Sequence, residues 1–289
     1  MKYAFFLGCV IPTKYPQFEA VARKSLPKVG VELVDVEGFS CCPEPWNFKS
    51  YNIMAWLTIA ARNLAIAEEA GLDILTLCSG CFATLAEAHH ILEDKPELKD
   101  EVNKRLSKIG KKYNGTISAK HVVQVLRDDV GAEQIKKSVT HPLEKIRVGV
   151  HYGCHVLKPS ETLRVDDPAD PRILETIIKP LGAEVIPYAE RLSCCTGACQ
   201  DEEMVFKFRY NKLQSLEEAQ VDCITLVCPA CFEAFDLGQV MLNRKLEKKF
   251  NIPTLYYVQL LGLAQGLKGE EVGITRHKVR SPALLEKLN

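Results

Sequence analysis

Asp73-Ile74-Leu75-Thr76-Leu77-Cys78-Ser79-Gly80-Cys81-Phe82 joins a short apolar run to a CxxC pair. A run this short, without polar alternation, reads as a strand buried on both faces, as in a parallel sheet covered by helices. Open parallel sheets present their functional crevice at the carboxyl ends of the strands, and the CxxC falls there. The stretch occurs twice. Ile74-Leu75-Thr76-Leu77-Cys78 is answered by Ile224-Thr225-Leu226-Val227-Cys228, and each copy continues to a further cysteine followed by phenylalanine.

Outward from these stretches the repetition covers the chain. Cys9, Cys41, Cys42, Cys78 and Cys81 are matched by Cys154, Cys194, Cys195, Cys228 and Cys231, each set reading C, CC, CxxC. Phe6-Leu7-Gly8-Cys9 answers His151-Tyr152-Gly153-Cys154, and His121–Leu126 answers Tyr256–Leu261. Two homologous halves follow, 1–145 and 146–289, joined near Ser138–Lys145 with its His-Pro. Tyr3–Leu7, Val31–Val36 and Asp73–Leu77 are expected strands, as are Arg147–Val150, Glu184–Tyr188 and Ile224–Val227. Ile53–Ala70 and Glu202–Ala219 have helical spacing, and the first stops at Gly71. The expected fold class is α/β: two pseudo-symmetric Rossmann-like domains, each a small, mostly parallel sheet flanked by helices, with metal sites at the carboxyl ends of the strands.

Lys plus Arg and Asp plus Glu each number 37 in the 289 residues, so the net charge is zero. This argues against a strongly basic nucleic-acid binder. No apolar run reaches the roughly 18 residues that suggest a membrane-spanning helix. The apolar stretch Ala4–Leu7 is shorter than a secretory signal requires, so the start reads as a first strand and the protein as cytoplasmic. Twelve cysteines in a reducing compartment indicate metal or redox chemistry before disulfides.

A structural zinc ion takes four ligands, and each half offers five cysteines. Adjacent side chains diverge from an extended backbone, so Cys-Cys suits a larger object better than one small ion. Thiolates commonly hold iron–sulfur clusters, although the ferredoxin run C-x2-C-x2-C-x3-C is absent. The residues thus point to one multi-iron cluster per half, with a zinc-stabilised, non-catalytic scaffold as the alternative. Cys199 and Cys223 stand outside the repeat and read as core filler.

The pattern C-x31-CC-x35-CxxC followed by C-x39-CC-x32-CxxC resembles the duplicated cysteine-rich (CCG) domain family, and within it the B subunits of heterodisulfide reductase from methanogenic archaea. Pro43 and Thr196 depart from the family name, standing where glycine often follows the paired cysteines. The resemblance implies two noncubane 4Fe–4S clusters, one on each set of five cysteines. It implies reduction of the coenzyme M–coenzyme B disulfide to two thiols. Electrons would come singly from the iron–sulfur C and flavin A components of the reductase, with a hydrogenase or formate dehydrogenase further away. Related cysteine-rich subunits serve lactate, glycolate, glycerol-phosphate and fumarate/succinate oxidoreductases, an alternative in which the chain only transfers electrons.

His151 and His155 flank Cys154 and are the candidates for proton or hydrogen-bond donation. Lys14, Lys49, Lys158, Arg164 and Arg191 are candidates for the anionic groups of the implied substrate. Trp46 is placed to wall the first site, His89-His90 reads as surface, and Glu93–Lys112 reads as one solvated helix.

Overall fold

A computed structural model describes residues 1–280 and 282–288. The first half forms β1 (Lys2–Phe6), β2 (Glu32–Val34), β3 (Ile74–Thr76) and β4 (Ala119–His121), in the order β2-β1-β3-β4. The second forms β5 (Arg147–His151), β6 (Glu184–Val185), β7 (Cys223–Leu226) and β8 (Thr254–Tyr256), in the order β6-β5-β7-β8. All pairings are parallel, with Ala4 opposite Ile74 and Val148 opposite Cys223. The apolar stretches become β3 and β7 because these strands have neighbours on both sides and every residue in them is buried.

The long helices Ile53–Glu69 and Glu202–Glu218 occupy corresponding places, and both start on a side-chain cap. Asn52 Oδ1 accepts from the Ala55 N–H and Asp201 Oδ1 from the Met204 N–H, each at 2.9 Å. The charged stretch 93–112 is not one helix. One helix ends at Asp94 and another runs Pro96–Leu106, because proline is at home in a first helical turn but cannot donate within a helix. His89 is not a surface residue either; it is half-buried with Nδ1 2.7 Å from the Tyr113 hydroxyl.

The two sheets share one core across the seam. Phe18 of the first half is fully buried, stacked on Tyr256 at 4.3 Å and edge-on to Phe232 at 4.8 Å, both from the second half. Helix Pro16–Ser25 packs against Tyr257–Ala264, and reciprocally the turns after β4 pack against Ile173–Ile178. Each half therefore lends the segment after its last strand to the other. That exchange brings the carboxyl ends of β3 and β7 together.

Candidate metal centre

Each cysteine motif lies where a strand hands over to a helix. Cys9 precedes helix Val10–Lys14 and Cys154 opens Cys154–Leu157. Cys78 and Cys228 cap Ser79–Asp94 and Pro229–Phe235, placing Cys81 and Cys231 in the first turns. Helix starts carry partial positive charge and favour thiolates. Gly8 and Gly153 make the preceding turns with φ of +68° and +74°. A Cβ at Gly8 would stand 2.6 Å from Cys81 Sγ, so the backbone must be bare there to let the motifs close in.

The ten repeated thiols form one electrostatically linked series. Mutual influence on their protonation runs Cys9–Cys41–Cys42–Cys81–Cys78 in the first half. It continues through Cys78–Cys228 into Cys231–Cys195–Cys194–Cys154 in the second. Cys9 and Cys41 are 3.7 Å apart, and Cys195 and Cys231 are 3.2 Å apart. The outer members Cys9, Cys41, Cys154 and Cys194 are exposed, whereas Cys42, Cys81, Cys228 and Cys231 are buried. Hydrogen bonds from neighbouring thiols push Cys42 down to about 4 and Cys194 down to about 2. Their donors Cys41 and Cys154 are pushed up correspondingly.

The meeting point of the halves is clamped from below. His121 Nε2 lies 3.1 Å from Leu77 O and 3.2 Å from Val227 O. The Tyr256 hydroxyl donates to Leu77 O at 2.6 Å, and Ser79 Oγ donates to Val227 O at 2.9 Å. His121 and Tyr256 are the corresponding last residues of β4 and β8, so each half grips the peptide before a CxxC.

Beside the second set of thiols, the His155 ring stacks on Trp46 of the first half, with centroids 5.1 Å apart. Trp46 walls the second group: with His155 it lines a cavity of about 60 Å³ that also touches Cys154, Cys194, Cys195, Cys228 and Cys231. Burial lowers the His155 pKa and keeps the ring neutral, although the surrounding thiols and Glu44 oppose that shift. His151 is deeper. Its Nδ1 is 3.0 Å from Lys212 Nζ, and its Nε2 is buried without a protein partner. Burial and the Lys212 charge push its pKa well down.

This arrangement fits an iron–sulfur group better than a lone ion. A tetrahedral zinc site with bonds of about 2.3 Å needs four ligand atoms all within about 4 Å of one another. Among the described residues only His151, Cys195 and Cys231 bring three metal-ligating atoms within 4.8 Å of one another. The Lys212 ammonium opposes a bare cation beside that imidazole. Five soft donors in a linked series, with a buried imidazole nitrogen lacking a partner, suit a larger sulfur-containing group.

The other sequence candidates are dispersed. Lys14 is paired with Glu233 at 2.9 Å, Lys49 with Glu87, and Arg191 with Asp170 and Glu175. Lys158 and Arg164 are exposed and make no salt bridge among the described residues. Cys223 is core, fully buried in β7. Cys199 is not: it is half-exposed, with Sγ 3.8 Å from Asp201 O and Met204 Sδ. The loop after the paired cysteines turns outward there. Thr196 bears the glycine-like conformation at that turn, with φ +59°, and its hydroxyl accepts from Arg209 Nε at 3.2 Å. Sequence reading missed Lys212, Arg209 and the clamp, which have no motif of their own; only the repeated His121/Tyr256 position marked the clamp.

The family described as the cysteine-rich domain (CCG) matches residues 3–86 and 148–236. A relative in Methanosarcina acetivorans, the B subunit of the ferredoxin/F420H2-dependent CoB-CoM heterodisulfide reductase, is 37% identical over 99% of this chain and 97% of its own length. A second, the 8-methylmenaquinol:fumarate reductase membrane anchor subunit of Wolinella succinogenes, is 32% identical over 98% of this chain and 99% of its own. The crystal structure of a hypothetical protein from Helicobacter pylori has the same fold at a TM-score of 0.76 and 16% identity, with 97% of this chain covering 52% of that one.

Proposed function

The chain belongs to the duplicated cysteine-rich (CCG) domain family, alongside the B subunits of heterodisulfide reductase; from that premise we propose that it is the disulfide-reducing iron–sulfur subunit of a multi-subunit oxidoreductase. Its substrate is the mixed disulfide of coenzyme M and coenzyme B, reduced to two thiols. Cys9, Cys41, Cys42, Cys78 and Cys81 hold one noncubane 4Fe–4S cluster, and Cys154, Cys194, Cys195, Cys228 and Cys231 hold the other. Bound there, such groups supply single-electron storage and iron with affinity for sulfur. The electrons come from the iron–sulfur C and flavin A components of the reductase, supplied in turn by a hydrogenase or formate dehydrogenase.

The observation that carries this reading is the meeting of the two cysteine sets at the seam, where His121 bonds to both Leu77 O and Val227 O, the residues before Cys78 and Cys228. A substrate with two sulfurs meets two sites at once, and each half-product has its own. The residues of this chain prepare that meeting. His121, Tyr256 and Ser79 hold the peptides beneath the gap at fixed separation. His155, neutral and held against Trp46, offers its ring N–H as a hydrogen-bond donor to a departing thiolate, whose proton comes from solvent. Lys158 and Arg164, free of carboxylate partners among the described residues, serve the anionic groups of the substrate.

The test is thiol release from the mixed disulfide by anaerobically purified protein with a reduced one-electron dye, alongside iron and sulfide counts. Two thiols per disulfide, from protein carrying the metal for two four-iron clusters, is the expected result. Reducible clusters with no thiol release would turn the assignment to electron transfer in a related complex, a reading favoured by the likeness to the fumarate reductase protein. Zinc without sulfide would mean a scaffold.

A further inference from the structure

The two sites are built alike in cysteine but not in charge. Lys212 and Asn63 are each the eleventh residue of a 17-residue helix, Glu202–Glu218 and Ile53–Glu69. Both are fully buried and both hold the loop that leads into the paired cysteines. Asn63 does this without charge: Oδ1 accepts from the Ser40 N–H at 3.0 Å and Nδ2 donates to Cys41 O at 3.2 Å. Lys212 does it with an ammonium. Its Nζ reaches Glu190 O at 2.6 Å, Arg191 O at 3.4 Å and His151 Nδ1 at 3.0 Å. An ammonium has three donors and no acceptor, and here it meets three acceptors. Among the described residues no carboxylate forms a salt bridge with it.

The lysine also determines the histidine. Because His151 Nδ1 accepts from Lys212, the ring proton sits on Nε2, the nitrogen that has no protein partner. His151 lies with Cys195 and Cys231 in the one close group of metal-ligating atoms among the described residues. In the first half the corresponding residue, the last of β1, is Phe6, which offers neither proton nor charge.

We propose that Lys212 and His151 form a positioning pair that raises the reduction potential of the cluster held by the second cysteine set above that of the first. Lys212 contributes a fixed buried positive charge, and His151 contributes the Nε2–H it holds in place. Net charge and hydrogen bonds to sulfur are the usual determinants of such potentials. The electron taken up first then resides in the second half, beside His155. This rests on the two-cluster reading.

Redox titration of the cluster-loaded protein, followed by electron paramagnetic resonance, tests it. Wild type should show two midpoints, and Cys81→Ala should remove the lower. Lys212→Asn, which installs the residue of the first half, should weaken reduction of the second cluster at least tenfold, about 59 mV for one electron. The first cluster should not move. Lys212→Arg should restore most of the loss, and His151→Phe should give a smaller shift in the same direction. If Lys212→Asn fails to assemble, His151→Phe alone carries the comparison. Equal midpoints in wild type, no shift, or an equal shift of both clusters would overturn the inference. Protein without iron and sulfide would instead overturn the two-cluster reading itself.

Discussion

His121 carries its ring proton on Nε2, because its Nδ1 accepts from the Val123 N–H at 3.3 Å. That proton is shared by Leu77 O and Val227 O, one from each half. Burial pushes the His121 pKa down to about 4, and the same cause takes His277 to about 4. Both values lie below the roughly 6.5 expected in the unfolded chain. On acidification the unfolded state therefore takes up these protons first. Stability is complete above about pH 6.5 and falls as pH drops toward 4, by about 3 kcal/mol per histidine at the limit. The unfolding temperature should decline between pH 7 and 4.5, and less steeply in His121→Gln; equal slopes would remove His121 as a cause. At this scale the ten ligand candidates were legible, since the spacing of thiols is written in the chain. Lys212 was not. In the sequence it is one more charge in a polar helix, and only the fold turns it inward onto His151.

The turns between strand and helix carry a sharper contrast. Gly8 and Gly153 occupy the same place in the repeat, yet a Cβ at Gly153 would meet Cys231 Sγ at 3.5 Å, an ordinary contact. At Gly8 it would stand 2.6 Å from Cys81 Sγ. Alanine at either position bears the cost of a positive φ, about 1–3 kcal/mol. Only Gly8→Ala should also displace the Cys81 thiol, a proposed ligand. Iron should fall by about half in Gly8→Ala and stay near wild type in Gly153→Ala, read by metal analysis of the purified proteins. The central strands and long helices were legible because burial and amphipathic spacing are local properties. β4 and β8 escaped as strands: each has three residues before its helix, too few to show a period. Their positions were visible only through the repeated Val-Gln that follows.

Across the whole molecule, pseudo-symmetry does not mean independence. Phe18 is buried across the seam against Phe232 and Tyr256. Loss of one such buried aromatic costs about 3–5 kcal/mol, against a total stability of about 5–15 kcal/mol. Residues 1–145 and 146–289 expressed separately should each be insoluble or unfolded, and co-expression should recover a soluble pair; a folded isolated half, seen by near-ultraviolet circular dichroism, would contradict this. The exchange of segments after β4 and β8 was not legible, since it depends on contacts far apart in the chain. The Cys195–Cys231 approach of 3.2 Å has a practical consequence. A covalent bridge needs only about 2.05 Å between sulfurs, so a metal-stripped chain handled in air is poised to staple itself shut. Reconstitution then demands a reductant before any iron is offered, and an aerobic preparation that looks inert reports its handling, not its chemistry.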